Sequence, residues 1–280
     1  MEPKVIFEDE DLLVLDKPAG MIVNRSDTTK GERTMQDWVE EYLKVSKDAK
    51  VPKVSKGETK SPLDTSDTFS AFDTFLSRAG IVHRLDKETS GILLIAKNSE
   101  SFTNLQAQFK ERKVQKTYIA LSHGKIEPDE GEINVAVGRL PWNRKRFGVI
   151  AEGRESVTKY KVIRYFEVGS GKLDLESLNS RNQDVKRSSS NMSHFSLLEL
   201  YPKTGRTHQI RVHLQYIKHP IFSDPLYAGR KTSRNDRKLL PRVFLHAAKI
   251  SFIHPKTNQP FSFESPLPSD LERFLSTFSS

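Results

Sequence analysis

The chain has 280 residues, 36% of them hydrophobic, and no cysteine; this excludes a disulfide framework and a thiolate metal site, and leaves apolar material for one large domain or two small ones. The formal net charge is +9 and the isoelectric point about 9.5, a balance that favours a polyanionic partner, nucleic acid before membrane. The start, MEPKVIFEDEDLL, lacks the basic-then-apolar layout of a secretion signal, and no apolar run approaches the roughly 18 residues of a membrane helix, so the expectation is a soluble, monomeric, cytoplasmic protein.

The first elements are short strands. Val5-Ile6-Phe7 and Leu12-Leu13-Val14-Leu15 flank an acidic turn. Lys17-Pro18-Ala19-Gly20 then punctuates the chain, and Lys17 reads either as a phosphate contact or as part of a solvated turn. A helix is predicted over 34–43, with Thr34 as N-cap, Asp37 three residues on, and Met35, Trp38, Val39 and Tyr42 on one face. On that spacing Trp38 belongs to the core. Residues 44–78 are rich in Lys, Ser, Thr and Pro, and too poor in apolar residues to offset their ordering entropy. They read as a flexible insertion, with a short helix over 71–76.

Residues 80–98 read GIVHRLDKETSGILLIAKN. Two apolar runs, Ile81-Val82 and Ile92 to Ala96, are predicted strands that bracket a polar loop from His83 to Gly91. Rigid elements presenting a polar loop are a common way to build a site. Ser99 is the predicted cap of a helix that turns Phe102, Leu105 and Phe109 inward. A strand over 113–121 follows and contains Tyr118, which on strand statistics alone is half-buried packing. Trp142 lies beside Arg144, Lys145 and Arg146, an interleaving that suits single-stranded or loop RNA.

A long strand is predicted over 156–168 and a second flexible insertion over 169–193. That insertion contains GSGKL, but Leu173 follows the lysine and no glycine stands where a phosphate-binding loop needs one, so nucleotide binding is rejected. A strand over 194–201 leads to Thr204-Gly205-Arg206 and a helix over 207–217, with Thr207 as its cap. Arg206 stands just before the helix start, where backbone N–H groups and the dipole favour an anion. His208 and His213 do not have the spacing of a zincin pair, so no metal site is expected. Arg211 is expected at a phosphate or a surface acid. A turn over 255–260, a strand over 261–264 and a terminal helix capped by Ser269 complete the chain.

The polar loop, HRLDKETSG at 83–91, resembles the signature of the RluA-type pseudouridine synthases. A second long match, TGRTHQIRVHL at 204–214, lies downstream in the expected order. DKPAGMIV, KTYIAL, the Gly-Arg-x-Pro around Arg139, and HPIFSDPLYAG at 219–229 resemble further family segments. Departures are Asp16, Asn24, the partial match GRES at 153–156, and Lys218 and Ser223 in place of two glycines. The resemblance implies that Asp86 is the catalytic aspartate, that the Tyr118 ring lies against the target base, that Arg206 pairs with Asp86, and that Arg84 helps hold the RNA open around an extruded base. RNA contacts are expected from Lys17, His83, Arg84, Arg139, Arg144, Arg146 and Arg211, and no cofactor.

Many strands with few strand–helix–strand alternations predict an α+β fold. The resemblance adds a mixed, largely antiparallel sheet, flanked by short helices, with a central RNA-binding cleft. It also implies one catalytic domain over 1–280 without a separate N-terminal RNA-binding domain.

The implied reaction breaks a glycosidic C–N bond, turns the uracil, and joins its C5 to the same sugar carbon. A carboxylate can act covalently at C1′ or take the C2′ proton, and both routes remain open. A cation beside Asp86 would keep it ionised, and the base must first leave its stack. Two alternatives stand beside this one. A non-catalytic RNA-binding protein needs the basic surface but not Asp86. A nucleoside hydrolase needs a second carboxylate as acid, for which Glu88 is the nearest candidate.

Overall fold

The architecture is that of a computed structural model, which describes residues 2–26, 29, 31–43, 72–143, 146–169 and 192–278. The chain divides into two units, Met1–Lys87 with Leu93–Lys113 and Phe252–Phe261, and Glu88–Ile92 with Val114–Ser251 and Ser262–Ser280.

In the first unit, β1 (Lys4–Glu8) and β2 (Leu12–Lys17) form an antiparallel hairpin. Its turn is fixed by the Asp9 carboxylate, which accepts from the backbone N–H of Asp11 at 2.8 Å and of Leu12 at 2.7 Å. Leu12 to Leu15 are fully buried. Helix α1 (Met35–Tyr42) starts at a reciprocal capping box between Thr34 and Asp37. Met35 and Val39 face the core as expected, but Trp38 does not join them. It is half-buried and stacks on the exposed Tyr42 ring at 4.8 Å. The fully buried strand β3 (Ser90–Ala96) belongs to this unit from Leu93 onward.

The matching Ile81 flank is not a strand; Ile81 makes a single bridge to Ile95. Helix α2 (Ser99–Lys110) is capped one residue earlier than expected, by the Asn98 side chain accepting from Ser101 N–H. Phe102 and Leu105 are buried, whereas Phe109 is half-buried. Residues 72–77 form a short helical segment, and its Phe75 meets Phe102 edge-on. The rest of the expected 44–78 insertion lies outside the described residues.

In the second unit, the start of β3 pairs in parallel with β10 (Leu245–Ile253), His246 opposite Ser90 and Ala247 opposite Gly91. From β10 the neighbours run antiparallel through β4 (Gln115–His123), β9 (Met192–Pro202), β8 (Val157–Gly169) and β5 (Glu130–Asn134). β6 (Val137–Arg139) and β7 (Phe147–Val149) form a separate ribbon, and β11 (Pro260–Glu264) pairs with β10. The mixed, largely antiparallel α+β fold is thus as expected.

β8 and β9 pair out to Gly169 opposite Met192, so 169 and 192–193 are strand; residues 170–191 between them lie outside the described residues. The core of this unit gathers Leu121, Leu198, Leu200, Phe222 and Phe244 from the strand side. Ile210 and Leu214 of α3 (Gln209–Tyr216) and Leu271 and Phe274 of α5 (Ser269–Ser276) pack onto it. Pro268, not Ser269, is the N-cap of α5. One further helix, α4 (Arg230–Leu239), has no counterpart among the predicted elements.

Candidate active site

The loop HRLDKETSG is fixed at each end by its own set of partners. In the first unit, the His83 ring stacks on Phe109 at 5.1 Å, and its Nε2 accepts from Leu94 N–H at 2.9 Å. Leu85 is buried. The Lys87 carbonyl accepts from Gly20 N–H at 2.7 Å and from the Lys17 ammonium at 3.2 Å. Between these anchors Arg84 is exposed and Asp86 half-buried, the exposure a residue needs if a large polymer is to reach it.

In the second unit, Glu88 pairs with Arg237 at 2.6 Å and accepts from Val243 N–H at 2.9 Å. Arg242 donates to the Glu88 carbonyl and to Ser90 Oγ, and is itself gripped by both oxygens of Asp270. Ser90 Oγ then lies 3.0 Å from His246 Nδ1, whose Nε2 faces the Ser265 carbonyl at 3.0 Å. A carbonyl only accepts, so Nε2 carries the proton and Nδ1 accepts from Ser90. The loop closes at Gly91, with φ +111°, where a Cβ would collide with the Ala247 carbonyl. Only glycine fits there.

Tyr118 lies on β4 opposite Leu200 of β9 and Ala247 of β10, half-buried against the core. Arg206 sits in the turn before α3, half-buried, its Nε donating to the Glu155 carbonyl at 3.3 Å. Thr207 does not cap α3. The N-cap is His208, in the left-handed region with φ 56° and no side-chain cap bond.

The buried Gln209 fixes that turn instead. Its Oε1 accepts from Arg206 N–H and Thr204 Oγ–H, and its Nε2 donates to the Val157 carbonyl and Thr158 Oγ1. Lys116, two residues before Tyr118, reaches the same turn, with Nζ donating to the Thr204 carbonyl at 3.3 Å. Burial pulls its pKa down to about 8. Sequence reasoning passed over Lys116, although the two-residue period of a strand sets it on the same face as Tyr118. Asp86 belongs to the first unit, and Tyr118 and Arg206 to the second.

Two expected RNA contacts are corrected. Lys17 is fully buried, and its ammonium donates to the carbonyls of Pro18, Met21 and Lys87 at 2.9, 2.8 and 3.2 Å. It is neither a phosphate contact nor part of a solvated turn; it ties the Pro-Ala-Gly turn to the motif loop. Arg211 is buried and grips both oxygens of the buried Asp224 at 2.7 and 2.9 Å, so its acid is internal, not at the surface, and no phosphate is needed to balance it.

Arg139 is exposed and lies over the Phe147 ring, and Arg146 is half-buried over Tyr227. Arg144 lies outside the described residues. The helix that sequence reasoning missed adds Arg230, Lys231, Arg234 and Lys238, all exposed and none in an ion pair among the described residues. Glu88, the hydrolase candidate, pairs with Arg237 and accepts from Val243 N–H.

Asp9, Asp11 and His254 gather within 4.8 Å of one another. His254 Nδ1 accepts from two backbone N–H groups, so Nε2 donates to Asp9, while Asn98 and Ser101 donate to Asp11. These bonds account for the cluster as a structural knot.

The fold is α+β, with a mixed, mostly antiparallel sheet and few helices. The sequence profile of the RNA pseudouridylate synthase family matches residues 11–216. The chain is 34% identical over 276 residues to ribosomal large subunit pseudouridine synthase D of Nitrosomonas europaea, covering 97% of this chain and 64% of that protein. It is 35% identical to an uncharacterized RNA pseudouridine synthase of Aquifex aeolicus, covering 98% of this chain and 72% of the relative. Human RNA pseudouridylate synthase domain containing 1 has a similar fold, with a TM-score of 0.62, 21% identity, and coverage of 100% of this chain and 95% of that one. The chain belongs to the RNA pseudouridylate synthase family, and it spans about two thirds of the length of the curated relatives it matches.

Proposed function

We propose that the protein is an RNA pseudouridine synthase, an isomerase that converts uridine to pseudouridine in structured RNA, with Asp86 as the reagent at the sugar. The observation that carries this is the motif loop itself: complete from His83 to Gly91, pinned at both ends, with Arg84 and Asp86 left accessible between the pins. In this reading Arg206 supplies positive charge to the reaction, and Tyr118 lies against the base. Arg84 holds the RNA open around the extruded nucleotide. Whether the carboxylate attacks C1′ or takes the C2′ proton, the same oxygen is needed. A pinned loop suits this chemistry, because detached uracil must be held in place between bond breaking and bond making.

RNA contacts are expected from Arg84 in the first unit and from Arg139, Arg146 and the exposed cations of α4 in the second, with Arg144 beside them in sequence. Large-subunit ribosomal RNA is the substrate to test first, given the names of the relatives, and the protein works as a cytoplasmic monomer. The hydrolase alternative would draw on Glu88, which already pairs with Arg237 and accepts from Val243 N–H. Pseudouridine mapping of ribosomal and transfer RNA from cells with and without the gene tests the reading. One or a few positions should lose pseudouridine without the gene and regain it with the gene restored. Identical maps would sink the proposal, and release of free uracil from RNA by the purified protein would favour the hydrolase.

A further inference from the structure

Two buried cations and one half-buried cation, Lys116, differ in what balances them. The Lys17 ammonium ends on three carbonyls, and Arg211 ends on the Asp224 carboxylate. Lys116 has neither. Its Nζ makes one long hydrogen bond, to the Thr204 carbonyl at 3.3 Å, and pairs with no carboxylate among the described residues. An ammonium partly withdrawn from water without a counter-charge is disfavoured, and the fall of its pKa to about 8, caused by desolvation, has that sign.

The surroundings say where a counter-charge would sit. A Cβ built on the exposed Gly205 would meet, beyond its own residue and its two chain neighbours, a single heavy atom within 4 Å among the described residues, Lys116 Nζ at 3.9 Å. The ammonium therefore borders open space, beside the turn that carries Arg206 and on the strand face of Tyr118.

We propose that Lys116 is a substrate-contacting cation whose ammonium binds a phosphate oxygen of the RNA beside the target nucleotide, in the open space at Gly205. The inference rests on the pseudouridine synthase reading above. Before reaction the formal negative charge of RNA resides on its phosphates, while uracil is neutral. A charge-assisted N–H···O bond to phosphate supplies what the protein withholds from this lysine. Only the protonated form binds. Hence kcat/KM falls as pH rises through about 8, and bound RNA, a new negative neighbour, moves the corresponding limb of kcat to higher pH.

The test compares wild type, Lys116→Gln and Lys116→Arg for RNA affinity against salt, and for tritium release from [5-³H]uridine RNA against pH. Wild-type release tests the underlying reading by itself, and its absence would defeat that reading whatever the lysine does. With an active wild type, Lys116→Gln should bind more weakly, with a slope of log affinity against log salt smaller by about 1. Lys116→Arg, which keeps its charge at all working pH, should restore affinity and lose the alkaline limb. Affinity and slope equal to wild type in Lys116→Gln overturn the inference. So does a fall in kcat at unchanged affinity, which would put the charge at the uracil. Should Lys116→Gln not fold, acetylation of Lys116 in the wild type, read by mass spectrometry with and without RNA, decides the point. Protection by RNA supports the contact, and equal labelling overturns it.

Discussion

His213 shows what single residues contribute here. It lies on α3, fully buried; neither ring nitrogen meets full hydrogen-bond geometry among the described residues, and the weak interaction with the Val135 backbone, which favours the protonated ring, is outweighed by burial. Burial holds its pKa down at about 4, against an ordinary value of 6.5. The folded protein therefore resists protonation that the unfolded chain accepts, so stability is full above about pH 6.5 and is lost as pH falls toward 4. At pH 5 the loss from this residue is on the order of 2 kcal/mol, readable by urea unfolding at pH 7 and pH 5. His213→Leu should show a pH difference smaller by that amount, and an unchanged difference would mean that the ring is not held neutral. Residues of this kind were the least legible in the sequence. Lys17 and Arg211 read as surface cations because charged side chains are mostly exposed; what reverses that is a partner the string does not reveal, three carbonyls in one case and Asp224 in the other. Asp86 and Tyr118 were singled out by the motifs that carry them, HRLDKETSG and KTYIAL, and their proposed roles rest on those motifs.

Apolar periodicity decided which elements could be read in advance. β2, β3, α1 and α2 all carry a buried face, and each was placed within a residue or two. Where a polar bond sets a boundary, the expectation slipped: Asn98 displaced Ser99 as a cap, and Gln209 took over the work assigned to Thr207. α4 was missed altogether, since RKTSRNDRKL has no apolar stripe. It is held by polar side chains instead: Asp236 accepts from Ser223 N–H and meets His123 at 2.9 Å, and Arg237 grips Glu88. Its outward face carries Arg230, Arg234 and Lys238 at successive i, i+4 positions, a stripe suited to a row of phosphates. Replacing all three with Glu should weaken RNA binding and flatten the slope of log affinity against log salt by about 3, while the thermal unfolding midpoint moves little, since none of the three makes an ion pair among the described residues. A slope equal to wild type would remove α4 from the RNA surface.

For the molecule as a whole, a net charge of +9 supplies attraction to RNA without choosing a site on it. Under the proposed reading, choice and chemistry come from the pinned loop, where Asp86 performs the isomerisation. Asp86→Asn keeps the shape of the side chain and removes its charge and its nucleophilic or basic oxygen. The most direct measurement is tritium release from RNA carrying [5-³H]uridine, since C5 gives up its hydrogen when it becomes the new attachment to the sugar. The wild-type protein should release tritium in proportion to the uridines converted. A folded Asp86→Asn protein that binds the same RNA with nearly unchanged affinity should release none above background, and release at the wild-type rate would contradict both the residue and the mechanism.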